Sequence, residues 1–471
     1  MVFLYDAFNW LNNFIWSYIL IILLVGLGVY FSFKTGFVQF KLLGEMFRLL
    51  GEGAMKNESS NEKHGSSGIS SFQAFCISTA SRVGTGNMAG VAIAIVIGGP
   101  GAIFWMWVMA LIGSSSSFVE STLAQVYKVK EGDHFRGGPA YYMEKALGKR
   151  WMGIVFSILI SITFGLIFNS VQANTVSFAF EKAFNINRMY LGIAISTATA
   201  IIIFGGVKRI AHAVEYIVPV MAVAYVLVAL FVLIKNFTMI PSVVESIISN
   251  ALGFKQAVGG GLGVVIMQGI KRGLFSNEAG MGSAPNAAAT ANVTHPVKQG
   301  LIQTLGVFTD TILICSATAF IILMSGVDLQ GESNGIQLTQ EALVSQVGSW
   351  GSIFIAVCIF LFAFSSIIGN YYYGETNIEF LNGNKIRLNL YRCFVVFMVM
   401  FGCLAKVQIV WDMADLFMGF MAIMNLVVIA VLYKVAIAAL KDYIAQKKKG
   451  LNPQFKASSV PELKNAECWE D

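Results

Sequence analysis

Two stretches decide how this chain folds: Ser78-Thr-Ala-Ser-Arg-Val-Gly-Thr-Gly-Asn87 and Lys271-Arg-Gly-Leu-Phe-Ser-Asn-Glu-Ala-Gly-Met-Gly-Ser-Ala-Pro285. Each interrupts a long apolar run with glycines and polar residues. An unwound backbone group costs several kcal/mol against lipid, so both interruptions must face protein or a wet cavity. Neither string is a dinucleotide fingerprint: Gly84-Thr-Gly-Asn-Met-Ala-Gly90 is not GxGxxG and follows no strand.

The surrounding sequence is that of a membrane protein. Of 471 residues, 56% are hydrophobic and 12% charged, against roughly a quarter charged in an average soluble protein. This excludes an ordinary soluble enzyme and a disordered chain. A helix needs about 20 apolar residues to cross a bilayer, and eleven runs reach that length, near 15–33, 70–99, 101–124, 152–183, 189–206, 215–235, 256–290, 297–325, 349–370, 389–405 and 411–440. They are continuously apolar rather than alternating, which favours helices over a barrel. The breaks fall in runs two and seven, five spans apart, and an odd number of spans per half inverts the halves relative to each other. Discontinuous helices at matching places in an inverted repeat point to the binding site of a secondary transporter. The expected organisation is an N-terminal helix with a cytoplasmic surface segment (1–69), two five-helix repeats (70–240 and 241–440) and a tail (441–471).

Positive charge is retained in cytoplasmic loops. With the N-terminus outside, 24 Lys/Arg lie inside and five outside: Lys182, Arg188, Lys235, Lys255 and Lys406. The basic residues thus sort into alternate loops and form no nucleic-acid patch. Segment 37–52 carries Phe40, Leu43, Phe47 and Leu50 at helical spacing and is predicted to lie on the inner membrane surface. The Gly/Ser/Asn-rich 53–68 reads as a flexible linker, and the basic stretch from Lys447 on as a mobile end. The first ten residues, MVFLYDAFNW, lack a basic n-region, so the first apolar run is expected to be kept. The cysteines read as reduced core residues and the four scattered histidines support no metal site.

At the first break one half-helix ends in free carbonyls, which attract a cation, and the next begins with free N–H groups, which attract an anion. One site therefore suits both Na⁺ and a carboxylate. Gly84 and Gly86 permit close backbone approach, and Thr85 and Asn87 add hydrogen bonds. The second break brings Phe275, Ser276, Gly280 and Met281 to the same depth, where carbonyls suit an ammonium and Phe275 and Met281 limit ligand size. In run four, Gln172 is a candidate substrate contact beside Asn169 and Asn174. In run nine, Ser365 and Ser366 offer adjacent hydroxyls to a hard cation. Charges within the spans, Arg82, Lys271 and Arg272 against Glu120, Glu278 and Asp310, must pair or face water. Arg82 and Glu278, one on each broken helix near mid-depth, are expected to form a gating ion pair.

At these residues the chain resembles the alanine/glycine:cation symporter family. The matching stretches are STASRVGTGNMAGVA (78–92), GGPAYYMEKALG (137–148), GLFSNEAGMGSAP (273–285) and FAFSSIIGNYYYGE (362–375). The resemblance implies uptake of alanine or glycine driven by Na⁺ through alternating access, on a leucine-transporter-like five-plus-five inverted repeat with one extra N-terminal helix. Likeness to sodium-coupled neurotransmitter-type symporters implies that Na⁺ is held by the carbonyls of Ala80, Val83 and Phe362 and the hydroxyls of Ser365 and Ser366. By the same likeness the substrate carboxylate meets Thr85 and Gly86, and the amine meets carbonyls near Ser81, Phe275 and Ser276. Arg82 stands where those relatives place a small residue beside a second sodium.

The expected protein is therefore an all-α polytopic symporter of the cell membrane with 11 transmembrane helices. Na⁺ is the coupling ion, a small amino acid the substrate, the lipid bilayer the medium and a monomer the transport unit. A proton-coupled or exchange transporter on the same fold is the alternative. A membrane enzyme would need a convergent His/Ser/Asp or metal cluster, which the spans lack, and a channel would need a repeated filter.

Overall fold

The computed structural model describes residues 10–470 except 60–68, 133, 206, 254–260, 330, 332–334 and 461–462. Eight described helices are long and apolar enough to cross a membrane: α1 (Trp10–Lys34), α5 (Gly101–Val126), α7 (Arg150–Phe184), α9 (here Tyr216–Lys235), α13 (Pro296–Leu323), α15 (Trp350–Leu381), α16 (Lys385–Leu404) and α17 (Val407–Lys448). A ninth span is the pair α3 (Ser71–Arg82) and α4 (Gly86–Gly98), bent by 47° at the first break. The shorter apolar helix α8, Arg188–Ile203, occupies the fifth predicted run. The seventh run is divided into α11 (Leu262–Asn277) and the five-residue α12 (Ala284–Ala288).

Local sequence explains where these elements start and stop. Ser70 and Gln73 form a reciprocal capping box at the start of α3, satisfying donors that a helix start leaves free. Asn187 and Asn384 cap α8 and α16 through side-chain oxygens. At the second break Glu278 takes a left-handed conformation, φ 57°, followed by Gly280 at 84° and Gly282 at 85°. Side chains other than glycine or asparagine rarely adopt that region, so the three positions end α11 abruptly. Three of the four π-helical turns among the described residues, Gly86–Gly90, Thr163–Phe168 and Phe308–Cys315, fall on elements that reach the breaks, as such turns often do at functional sites, and the fourth, Ile15–Leu20, lies in α1.

α5 lies at the centre, against α11 on one side and α13 on another, while α7 packs on α15 and α16. Close approach to α11 needs small residues: a methyl on Gly269 would run into the Ala102 carbonyl and Trp105. Three helices missing from the sequence reading lie between spans, α6 (Pro139–Lys145), α10 (Ile240–Ala251) and α14 (Ile336–Val347). Apolar side chains of α8, α9 and α16 such as Tyr190, Leu227 and Phe397 are exposed, as a bilayer-facing surface requires.

Three expectations are corrected. Helix α2 runs Leu43–Ser59, so 53–59 is not linker, and the rest of that predicted linker lies outside the described residues. Met46 and Leu49 of α2 are buried, while Phe40 and Phe47 point outward. The tail is not free: Phe455 and Trp469 are buried, because aromatic side chains in a basic segment find apolar surface at the end of the bundle. Cys393, expected among core residues, is exposed; the six cysteines are free.

Candidate substrate and ion site

Residues Val83 to Thr85 separate α3 from α4, with Val83 extended (φ −81°, ψ 90°). The Ser366 hydroxyl from α15 sits at the carbonyl end of α3, 2.7 Å from Ala80 O, 3.3 Å from Val83 O and 2.9 Å from its own-helix Phe362 O. Three carbonyls and a hydroxyl from two helices thus converge with no fixed charge among them. A small hard cation accepts such an oxygen set. Ser365 is turned elsewhere, with its hydroxyl on Phe362 O at 2.8 Å and against Met221 Sδ at 3.8 Å.

At the other lip, the N–H groups that open α4 are taken by side chains. Gln172 Oε1 accepts from Thr85 N at 2.9 Å and from Thr85 Oγ1 at 2.6 Å. Asn87 Oδ1 accepts from Gly84 N at 2.8 Å. A neutral amide oxygen therefore stands at the anion-binding helix start, where a ligand carboxylate could replace it. Asn169 and Asn174 serve the fold instead, donating to Gly165 O and to the carbonyls of Gly402 and Ala405. A methyl on Gly86 would come 2.9 Å from Phe275 Cδ1 and 3.2 Å from Ser276 Cα; the two broken helices touch here.

The second break is held differently. Glu120 of α5 accepts from Gly280 N at 3.1 Å and Gly282 N at 3.0 Å, and from Asn425 Nδ2 at 2.7 Å. Asn425 also donates to Gly280 O at 2.9 Å. Gly280 is thus turned to α5 and α17, with both backbone groups already bonded, and does not face the first break. Met281 is fully buried beside it.

Arg82 and Glu278 do not pair. Arg82 donates to Gln303 O at 3.2 Å and reaches Ser117 Oγ at 3.4 Å. Glu278 is bonded to Ser81 Oγ at 2.6 Å and Ser283 Oγ at 2.5 Å. Neighbours on a helix point about 100° apart, so Ser81 faces Glu278 while Arg82 turns to α13. Glu278 does join the two breaks, through Ser81, which also touches Asn370 Oδ1 at 2.7 Å.

Asp310 is a second link that the sequence reading left without a role. Its carboxylate accepts from Asn87 Nδ2 at 2.6 Å and from Ser276 Oγ at 2.6 Å, one group from each broken helix. Asp415 was missed entirely: Lys271 and Arg272 both meet it at 2.7 Å. Trp411 was also missed. Its ring lies 4.7 Å from that of Phe275, which in turn lies 4.7 Å from Phe168, and Arg272 sits over it at 4.6 Å. Beyond Trp411 is a cavity of about 200 Å³ lined by Ala89, Asn174, Phe178, Gly335 and Val407, so Trp411 forms its floor above the break. The only available signal was a tryptophan and an aspartate one helical turn apart near the start of the last apolar run.

The match to known proteins agrees with a transport site. Residues 1–457 match the model of the sodium:alanine symporter family. The chain belongs to that family. Within it, the chain is 59% identical to the amino-acid carrier protein AlsT of Bacillus subtilis over 98% of this chain and 96% of that one. It is 58% identical to the probable sodium/glutamine symporter GlnT of the same organism, over 97% and 94%. Among solved structures it resembles MhsT in complex with L-phenylalanine, at 14% identity and a TM-score of 0.52, over 82% of this chain and 90% of that one; that likeness concerns the fold, which is leucine-transporter-like. This member of the sodium:alanine symporter family is thus a multi-pass membrane transporter carrying out cation-coupled amino-acid symport, and not an enzyme.

Proposed function

We propose that the protein takes up a small neutral amino acid, alanine or glycine, together with Na⁺ by alternating access. The observation that carries this is the convergence of Ala80 O, Val83 O and Phe362 O on the Ser366 hydroxyl. In this reading Na⁺ takes the place between α3 and α15, with Ser365 rotating in as a fifth ligand. The substrate carboxylate displaces the Gln172 amide oxygen from Thr85 and also meets Gly86. Its amine meets carbonyls near Ser81, Phe275 and Ser276, and Phe275, packed between Phe168 and Trp411, limits the size of its side chain.

Sodium bound there ties the carbonyl end of α3 to α15 and so raises the population of the state competent for substrate. Arg82 lies outside this arrangement, and Glu278 acts through Ser81. The reading includes eleven spans, α1 being additional to two inverted repeats of five (70–240 and 241–440). It places the N-terminus outside, the C-terminal segment in the cytoplasm, the protein in the cell membrane and a single chain as the transport unit.

The test is uptake of labelled alanine into proteoliposomes under a Na⁺ gradient. Equal accumulation with K⁺ or choline in place of Na⁺ would refute sodium coupling, and dependence on pH alone would favour the proton-coupled alternative. Ser366→Ala should lose most Na⁺-dependent uptake. Competition by glutamine is the second arm, because a relative this similar bears that substrate in its name. Stronger competition by glutamine than by alanine would replace the substrate while leaving the ion site intact.

A further inference from the structure

On the predicted inner side the segments that flank the two broken helices are paired through their backbones. Ile69, just before α3, forms a parallel bridge with Ala291, just after α12. Ile69 N donates to Thr290 O at 3.4 Å and Asn292 N to Ile69 O at 3.0 Å. The inner ends of both broken helices are thereby joined, and a solute leaving on this side needs that bridge parted.

The segment after α17 is laid across this closure. Gln446 and the Gln454 backbone exchange two hydrogen bonds, which turns the chain back from the end of α17. Phe455 N then donates to Thr294 O at 2.8 Å, Thr294 Oγ1 donates to Pro453 O at 2.8 Å, and Lys298 Nζ donates to Asn452 Oδ1 at 2.8 Å. Further on, Asn465 Nδ2 reaches Lys145 O at 2.9 Å, Glu467 pairs with Lys145, and Trp469 Nε1 donates to Gln125 O at 2.8 Å. Gln125 and Lys128 in turn donate to Ala291 O at 3.0 and 3.1 Å. The Lys128 ammonium is enclosed between the rings of Phe135, at 4.1 Å, and Trp469, at 4.9 Å.

These contacts fall on both predicted halves. Thr294 and Lys298 follow the second broken span, whereas Gln125, Lys128 and Lys145 belong to α5 and the segment after it. Any rocking of one half against the other shears the segment between its two anchorages.

We propose that residues 452–460 and 463–469 form a strap that holds the inner closure shut and slows inward opening, with Trp469 as its anchor. The inference rests on the transport reading for its consequence, and on that reading's topology for which side is inner. It does not depend on which amino acid or ion is carried.

Two thiols report on it. Cys468, half-buried in the strap, reads whether the strap is docked. A cysteine introduced as Thr290→Cys, at a buried position of the bridge, reads whether the closure has parted. Full-length protein in detergent is treated with a thiol reagent, with and without Trp469→Ala, the chain lacking Thr290→Cys serving as background. Trp469→Ala should expose Cys468 and raise modification at position 290 at least tenfold, a small part of what burying an indole contributes. In proteoliposomes the same variant should show faster exchange of internal substrate with unchanged half-saturation for external Na⁺. A reactive Cys468 with position 290 still protected would overturn the strap's hold on the closure, and a Cys468 still protected would overturn Trp469 as anchor. A failure of alanine transport alone would count against the substrate assignment, because neither labelling readout requires it.

Discussion

The two breaks look alike in sequence but are stabilised in opposite ways. At the first, backbone groups are met by neutral side chains: Gln172 on Thr85, Asn87 on Gly84 and Ser366 on the carbonyls. At the second, two glycine N–H groups are met by the carboxylate of Glu120, and a carbonyl by Asn425. Neutral partners can be exchanged for a ligand at modest cost, whereas a buried carboxylate bonded to backbone donors is costly to separate from them. In the proposed reading the first break is thus the exchangeable face of the site and the second its fixed abutment.

That contrast breaks most visibly at Glu120. Glu120→Ala leaves the N–H groups of Gly280 and Gly282 without partners in a closed interior, each worth about 1–3 kcal/mol, and takes one of its hydrogen bonds from the Asn425 amide. The expected result is loss of monodisperse protein after extraction or a collapse in melting temperature. A well-folded Glu120→Ala protein with normal transport would show that the second break needs no abutment.

Gln172→Ala should do the reverse. Its oxygen serves groups that a carboxylate takes over, and its amide N–H is then left to donate to that carboxylate, so uptake should fall about 10- to 100-fold, the equivalent of a charge-assisted hydrogen bond, with the melting temperature within a few degrees of the parent. A loss of stability comparable to that of Glu120→Ala would erase the distinction between the breaks.

Trp411→Ala sharpens the same comparison at the rim. The ring rests on Phe275 and under Arg272, and its removal joins the cavity above to the first break. Larger neutral amino acids such as leucine should then compete with alanine, their half-inhibition falling about tenfold, roughly the effect of one or two methylenes. Competition confined to alanine and glycine would place the size limit on Phe275 alone.

Much of this was legible because membrane physics leaves few options. Apolar runs and basic loops marked the spans, and glycines at mid-depth located both breaks. Ser366 stood out through the place of its run, the third span of the second half, and through the family resemblance, and Gln172 as an amide in an apolar run. Direction around a helix was not legible: Arg82 and Ser81 are adjacent, and nothing in their order says which of them faces Glu278. The scaffold role of Glu120 was hidden because its partners are backbone groups at Gly280 and Gly282, 160 residues away along the chain. Docking of the segment around Trp469 was hidden because a basic, proline-containing stretch has the same composition whether or not it finds a surface.

The fixed character of the second span should extend to its exit, where His295 caps α13. Its Nδ1 accepts from Val297 N at 3.2 Å while Nε2 lies 3.2 Å from Asp442 Oδ2, so the neutral ring with the proton on Nε2 satisfies both neighbours. Burial holds its pKa down to about 4, against the opposing pull of Asp442. A folded-state value below the unfolded value of about 6.5 means that the fold resists the proton. This contribution is complete above about pH 6.5 and is lost as the pH falls towards 4, at roughly 1.4 kcal/mol per pH unit. Melting of the purified protein should therefore drop by a few degrees between pH 7 and pH 5, and His295→Asn, which keeps a capping oxygen and a donor, should flatten that drop. The carboxylates behind the first break are Asp310, on Asn87, and Glu278, on Ser81, and neither touches His295, so any acid shift in half-saturation by Na⁺ should be the same in His295→Asn as in the parent protein. An acid shift in sodium half-saturation that His295→Asn abolishes would show that the abutment and the exchangeable face are not separate.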